Sequence, residues 1–193
     1  MINYLLSCDL ETSNIDPFTG DWIHGSFALL TYPGLITVKE IEIFSRPNCW
    51  SDESFQVHGI RRDKAEKFQS REDALNELIN FLPKERFHFL CHANPNNYGE
   101  HYHFDYAFLK MDFMNTYNVF LFWSYFSDEL VLSTHTLMKK SGIKLPNYRL
   151  NTIADHFGIP LDHHNATSDR KACEKIYRKL IKGETCAGGN LLL

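Results

Sequence analysis

The chain opens with three consecutive strand patterns before any helix, and this order narrows the possible folds more than any other feature. Residues 4–10, 22–32 and 35–44 read as strands, and a Pro33-Gly34 turn joins the second to the third. Strands and helices then alternate. The spacing of Ala74, Leu75, Leu78, Ile79 and Leu82 predicts a helix over 70–82. A short apolar run at 87–91 suits a buried strand, 104–116 a helix, and 120–125 a fifth strand. Further helices are expected at 132–140, 150–157 and 168–181, the last capped by Ser168 and stopped before Gly183. Strands first, then alternation, demands a mixed sheet with helices packed on it, an α/β fold.

A chain of 193 residues without a visible repeat or linker fits one domain with a real core. That domain is expected over residues 1–183. The Gly-rich stretch 184–193, ending in three leucines, is expected to be a flexible tail. Its leucines have docking as an alternative role. The segment 94–103 is polar and loop-like.

Composition removes several function classes. The formal net charge is −4, so a nucleic-acid binder that grips by charge alone is excluded unless bound cations invert the local sign. The five cysteines are odd in number and lack CxxC spacing, which argues against a disulfide framework and for a reduced, cytoplasmic setting. Asp9 and Glu11 interrupt the N-terminal apolar run, so no signal peptide is read there. The most apolar stretch, 119–126, is far too short to cross a bilayer, and no membrane partner is expected. The 15 phenylalanines are first of all core material.

The carboxylates carry the chemistry. Asp9 and Glu11 stand one residue apart on a strand, so both point to one face, roughly 6–7 Å apart along it. Leu6, Cys8 and Leu10 point the other way. Paired acids repel and are tolerable around a cation, although a strand running out into solvent gives the same pattern. Asp169 heads the apolar stripe Ala172, Cys173, Ile176, Tyr177 and Leu180, where an acid is costly to bury without a partner. Its alternative is a helix-start acid favoured by the dipole. Asp105 opens a helix and shares a flank with Phe108 and Leu109. His164 precedes Asp169 by five positions, on a loop that brings it in front of that acid.

Together these residues resemble a known pattern. Asp9-Leu10-Glu11-Thr12 resembles a D-x-E-T motif, Phe104-Asp105 with Phe108-Leu109 resembles a second motif, and His164-x-Ala166-x-x-Asp169 matches H-x-A-x-x-D. Their order and spacing resemble the DEDDh exonucleases, the superfamily of the proofreading subunit of bacterial DNA polymerase III, RNase T and oligoribonuclease. The stretches 52–60 and 148–159 are similar to segments flanking those motifs, and the likeness covers roughly residues 3–182. One departure is visible. The family usually reads His-Asn-Ala with Phe-Asp close behind, whereas here His92-Ala93-Asn94 is followed by a longer loop to Phe104. A zinc site from Cys91, His92, His101 and His103 fits no standard spacing. The residue before Thr12 disfavours the oligoribonuclease subgroup.

The resemblance implies a ribonuclease H-like, five-stranded mixed sheet flanked by helices. It implies a 3′→5′ exonuclease using Mg²⁺ or Mn²⁺, two ions held by Asp9, Glu11, Asp105 and Asp169, with His164 as the general base. Hard oxygen ligands agree with those metals. It places Thr12, Glu53, His58 and the main chain around Leu10 near the 3′-terminal nucleotide, with Phe104 or Phe108 packing on its base or sugar. For His58 a turn-capping role is the alternative. The expected partners are 3′ ends of single-stranded DNA or RNA, with DNA preferred and RNA 3′-end trimming as the alternative. A DNA polymerase chain and a homodimer are compatible with the family. Two further readings are a non-catalytic nucleic-acid-binding or polymerase-docking module and an unrelated acidic metalloprotein.

Overall fold

The computed structural model describes residues 2–93 and 103–183. Its sheet has five strands in the order β3-β2-β1-β4-β5. The strands are β1 Tyr4–Thr12, β2 Trp22–Thr31, β3 Thr37–Phe44, β4 Phe87–Cys91 and β5 Val131–Ser133. β1 pairs antiparallel with β2, and β2 with β3, while β1–β4 and β4–β5 are parallel. The helices are α1 Asp52–His58, α2 Arg62–Ala65, α3 Arg71–Phe81, α4 Phe104–Thr116, α5 Val119–Tyr125, α6 Thr134–Lys140, α7 Leu150–His156 and α8 Ala166–Ile181. The mixed, helix-flanked sheet expected from the sequence is therefore present.

β1 lies at the centre of the sheet and is covered on both faces. Leu6, Cys8 and Leu10 enter a core shared with α3, α4 and α5. Leu5 faces the other way, into a core with Leu90 of β4 and Cys173 and Tyr177 of α8. Period-two alternation thus sends Asp9 and Glu11 toward the α8 side. The β1–β2 register shifts between Glu11 and Thr12. Such a bulge re-aims side chains where a strand leaves its sheet.

Several local expectations are corrected. Residues 120–125 are not a strand but lie within α5. The Asn118 side chain caps that helix by accepting from the Leu121 N–H at 2.9 Å. Phe122 is fully buried among Tyr106, Phe113 and Phe126. A short apolar run carries no periodicity that separates the two states. The fifth strand is the three-residue β5, which takes the start of the helix expected at 132–140. α6 then starts at Thr134 under a Ser133 cap. α8 begins earlier than expected, capped by Asn165, whose Oδ1 accepts from the Ser168 N–H at 3.1 Å. Ser168 instead accepts from the Asp162 N–H at 2.8 Å. β3 starts at Thr37, after a turn that places Leu35 at φ 55°. Helices α1 and α2 occupy a stretch for which no element was expected.

Two buried ion networks pin the layers together. Arg71 of α3 pairs with Asp21 and with Asp112 of α4. Arg170 of α8, only 2% exposed, reaches Glu174 on its own helix, Glu40 of β3 at 2.8 Å and the Ser26 hydroxyl of β2 at 2.9 Å. Among the described residues no helix is long and apolar enough to cross a membrane. Cys8, Cys49, Cys91 and Cys173 are free. The leucine-ended tail and the His101 part of the zinc reading lie outside the described residues.

Candidate active site

Both parallel neighbours β1 and β4 run their C-terminal ends to the same edge of the sheet, where open α/β folds form their binding crevices. A cleft of about 770 Å³ opens there. It is lined by Asp9, Leu10, Glu11, Thr12, Glu53, His58, Phe104, Asp105, His164 and Asp169. Of the residues singled out in the sequence, only Phe108 is absent from the lining.

Four carboxylates reach this cleft from three elements. β1 contributes Asp9 and Glu11, and α8 brings Asp169 from its first turn. Asp9, Glu11 and Asp169 each place one oxygen within 4.8 Å of the others. Asp105 arrives from the first turn of α4 on the opposite face of the sheet. Its Oδ1 accepts the Leu10 N–H at 3.1 Å, which locks α4 to the end of β1. Asp105 thus lines the same cleft as Asp9, Glu11 and Asp169.

Asp169 is held asymmetrically. His164 adopts a left-handed backbone, φ 68°, and its N–H donates to Asp169 Oδ2 at 3.1 Å. Nδ1 of His163 lies 3.1 Å from the same oxygen. Asp169 Oδ1 is buried and has no hydrogen-bond partner. The two imidazoles stack, with centroids 3.9 Å apart and planes 21° from parallel. Sequence reasoning gave His163 no role. Its contact depends on the unusual backbone at His164, which a spacing pattern does not reveal.

Burial and mutual repulsion push these acids toward their neutral forms. Asp9 is raised well above the ordinary carboxylate range by burial, then by Asp105, Glu11 and Asp169, with Arg170 opposing. Glu11 is pushed up to about 7 by burial and by Asp169. Asp105 is raised to about 7 by burial, against the stabilising Leu10 N–H. Asp169 is raised by burial, with His163 and the His164 N–H opposing. A buried carboxylate cluster of this kind, with one oxygen left unpartnered, offers the hard donor set of a divalent cation. His164 is lowered below the usual imidazole range by burial and then by His163.

The remaining predicted contacts divide. Phe104 lines the cleft, but Phe108 is fully buried behind it, with ring centroids 4.9 Å apart. Phe108 is thus a backing residue in the core, and the expectation that it meets substrate is corrected. The Leu10 N–H is already taken by Asp105. Thr12 Oγ1 donates to the Asn14 carbonyl at 2.7 Å. His58 caps the turn after α1, its Nδ1 accepting the Ile60 N–H at 3.0 Å, and its Nε2 is buried without a partner. Glu53 is exposed and accepts from the Ser51 hydroxyl at 2.7 Å. The cleft also receives His92, whose Nδ1 lies 2.8 Å from the Thr134 hydroxyl. Burial holds that imidazole down to about 3, so it is neutral.

Comparison with known proteins agrees with this geometry. The chain superposes on Escherichia coli exonuclease I bound to single-stranded DNA in its zinc-bound form, with a TM-score of 0.75 and 17% identity. It covers 94% of this chain and 41% of that one. The same enzyme in complex with a dT13 oligonucleotide gives 0.76 and 16%, over 93% and 41%. Exonuclease I of Methylocaldum szegediense gives 0.73 and 15%, over 93% and 40%. The chain thus spans about two fifths of the length of these enzymes, and the likeness establishes the fold. A search of curated protein sequences finds no match. The RNase T exonuclease profile matches residues 7–177, from the strand with Asp9 and Glu11 to the helix with Asp169, and this chain belongs to that exonuclease family.

Proposed function

We propose that this chain is a metal-dependent 3′→5′ exonuclease domain that hydrolyses the terminal phosphodiester of single-stranded nucleic acid, DNA in preference to RNA. Its products are nucleoside 5′-monophosphates. The observation that carries this reading is the convergence of Asp9, Glu11, Asp105 and Asp169 with His164 in one cleft. The preference for single strands follows the oligonucleotide complexes of exonuclease I.

In this reading Asp9, Glu11, Asp169 and Asp105 hold two Mg²⁺ or Mn²⁺ ions. Bound there, the ions supply charge neutralisation at the phosphate and acidify the attacking water. The chain's own groups do the rest. Neutral His164 accepts the water proton, and its lowered pKa keeps it in the base form at pH 7. Phe104 packs on the terminal sugar or base. Thr12, Glu53, His58 and the Leu10 segment border the 3′-terminal nucleotide. The four acids also explain how a chain of net charge −4 meets an anionic substrate, because metal rather than a basic surface faces the phosphate.

The test compares matched single-stranded DNA and RNA oligonucleotides with Mg²⁺, Mn²⁺ or EDTA, following released mononucleotides. Faster turnover of DNA, and none in EDTA, is expected. Faster turnover of RNA would assign the site to RNA 3′-end trimming, and release of internal fragments would contradict exonuclease action.

A further inference from the structure

A second concavity, about 570 Å³, lies beside the cleft and is not used by the chemistry above. Its walls are Pro17 and Phe18 of the β1–β2 loop, Lys110, Met111 and Met114 of α4, and Trp123 of α5. It is strongly apolar for a surface feature. Phe18 is 70% exposed, Met114 41% and Trp123 39%. Contiguous exposed apolar surface marks a binding site more often than an accident of packing.

Two elements border both this groove and the catalytic cleft. The β1–β2 loop sends Asn14 and Ile15 into the cleft and Pro17 and Phe18 into the groove. Helix α4 puts Phe104 and Asp105 in the cleft and, from the next turn on, Ala107, Lys110, Met111 and Met114 along the groove. The loop is a built ridge. Asn14 Oδ1 accepts the Ile15 N–H at 2.6 Å, Asp16 Oδ1 accepts the Phe18 N–H at 2.9 Å, and the Asp16 carbonyl accepts the Gly20 N–H at 2.7 Å. A Cβ on Gly20 would stand 2.9 Å from that carbonyl and 3.0 Å from the Phe108 ring. The loop therefore sits tightly on α4, and local hydrogen bonds hold Phe18 out toward solvent.

The chemistry of the groove fits one occupant. Lys110 Nζ lies 4.5 Å from the Trp123 ring centroid, and Phe18 lines the same groove. Aromatic faces with a neighbouring cation are the recognition set for single-stranded nucleic acid, the bases stacking and the phosphate meeting the charge. Resting on the exonuclease reading of the cleft, we infer that this groove carries the single strand upstream of the scissile nucleotide. Phe18 and Trp123 stack on its bases and Lys110 meets its backbone.

The inference is tested by binding without turnover. Anisotropy of fluorescein-labelled single-stranded DNA of 16 and of 3 nucleotides is measured in EDTA, for the wild-type chain and for Phe18→Ala, Trp123→Ala and the double variant. Each base lost from its stacking ring weakens binding by about fivefold or more, and each single variant should weaken the 16-mer by that factor. The affinity advantage of the 16-mer over the 3-mer should shrink by the same factor. Melting temperature serves as the folding control, because both rings are exposed. Wild-type and variant chains binding the 16-mer equally would overturn the inference while leaving the exonuclease reading intact, and would turn the groove over to a protein partner. A wild-type chain that binds neither strand and cuts neither would overturn both.

Discussion

Nδ1 of His163 lies 3.1 Å from Oδ2 of Asp169, on the oxygen that also accepts the His164 N–H. Asp169 Oδ1 is left buried and without a partner, and one Asp169 oxygen lies within 4.8 Å of oxygens of Asp9 and Glu11. The adjacent histidines therefore have separable parts. In the proposed site His163 orients the Asp169 carboxylate, as groups behind metal ligands commonly do. His163→Ala should weaken Mn²⁺ binding by roughly 10–100-fold, read by electron paramagnetic resonance of free Mn²⁺, with turnover recovered at high metal. His164→Ala should lose roughly 10²-fold or more in kcat with metal affinity nearly unchanged.

The carboxylates predict a pH-dependent stability in the metal-free protein. Glu11 and Asp105 are each raised to about 7 in the fold, above their unfolded values. Raised folded values mean that the contribution is full below about pH 4 and is lost as pH climbs through about 7. The melting temperature in EDTA should thus fall between pH 5 and pH 8. Added Mg²⁺ or Mn²⁺ should raise it by several degrees at pH 8 and little at pH 5. An EDTA melting curve that is flat over this range would contradict the electrostatic account of the site.

Removing one charge should separate stability from activity. Asp9→Asn relieves repulsion from Asp105, Glu11 and Asp169. Its metal-free form should melt at or above the wild-type temperature at pH 8, and its turnover should be abolished. Asp105→Ala is expected to be strongly impaired too, because it loses a carboxylate and frees the buried Leu10 N–H. Full activity of Asp105→Ala would reject its place in the site.

Arg170 carries no proposed chemistry but anchors the helix that presents Asp169. It is buried between Glu174, Glu40 and Ser26. Truncating one member of a buried pair leaves uncompensated charge and costs roughly 3–5 kcal/mol. Arg170→Ala should lower the melting temperature by about 6–20 °C for a domain of this size, measured by calorimetry.

Much of this was legible in the sequence, and what was missed has physical reasons. Asp169 could be read because an acid heading an apolar helical stripe is anomalous. Asp9 and Glu11 could be read because alternation on β1 fixes their common face. The fifth strand could not, because β5 has only three residues and borrows its pattern from α6. The apolar run at 119–125 satisfied strand and helix equally until Asn118 capped it. The sequence resemblance offers Phe104 or Phe108 as the ring that packs on substrate. Only packing shows that Phe104 faces the cleft and Phe108 the core. Arg170 escaped because two of its partners, Ser26 and Glu40, lie 144 and 130 residues away in the chain.

The central claim is tested most directly by polarity and metal dependence together. A 5′-labelled single-stranded DNA oligonucleotide is incubated with the wild-type chain in Mn²⁺ or EDTA, and with Asp9→Ala in Mn²⁺. The account predicts a ladder of labelled products shortening one nucleotide at a time from the 3′ end, present with wild type and Mn²⁺ alone. A labelled mononucleotide appearing first, or cleavage that survives EDTA or loss of Asp9, would contradict it.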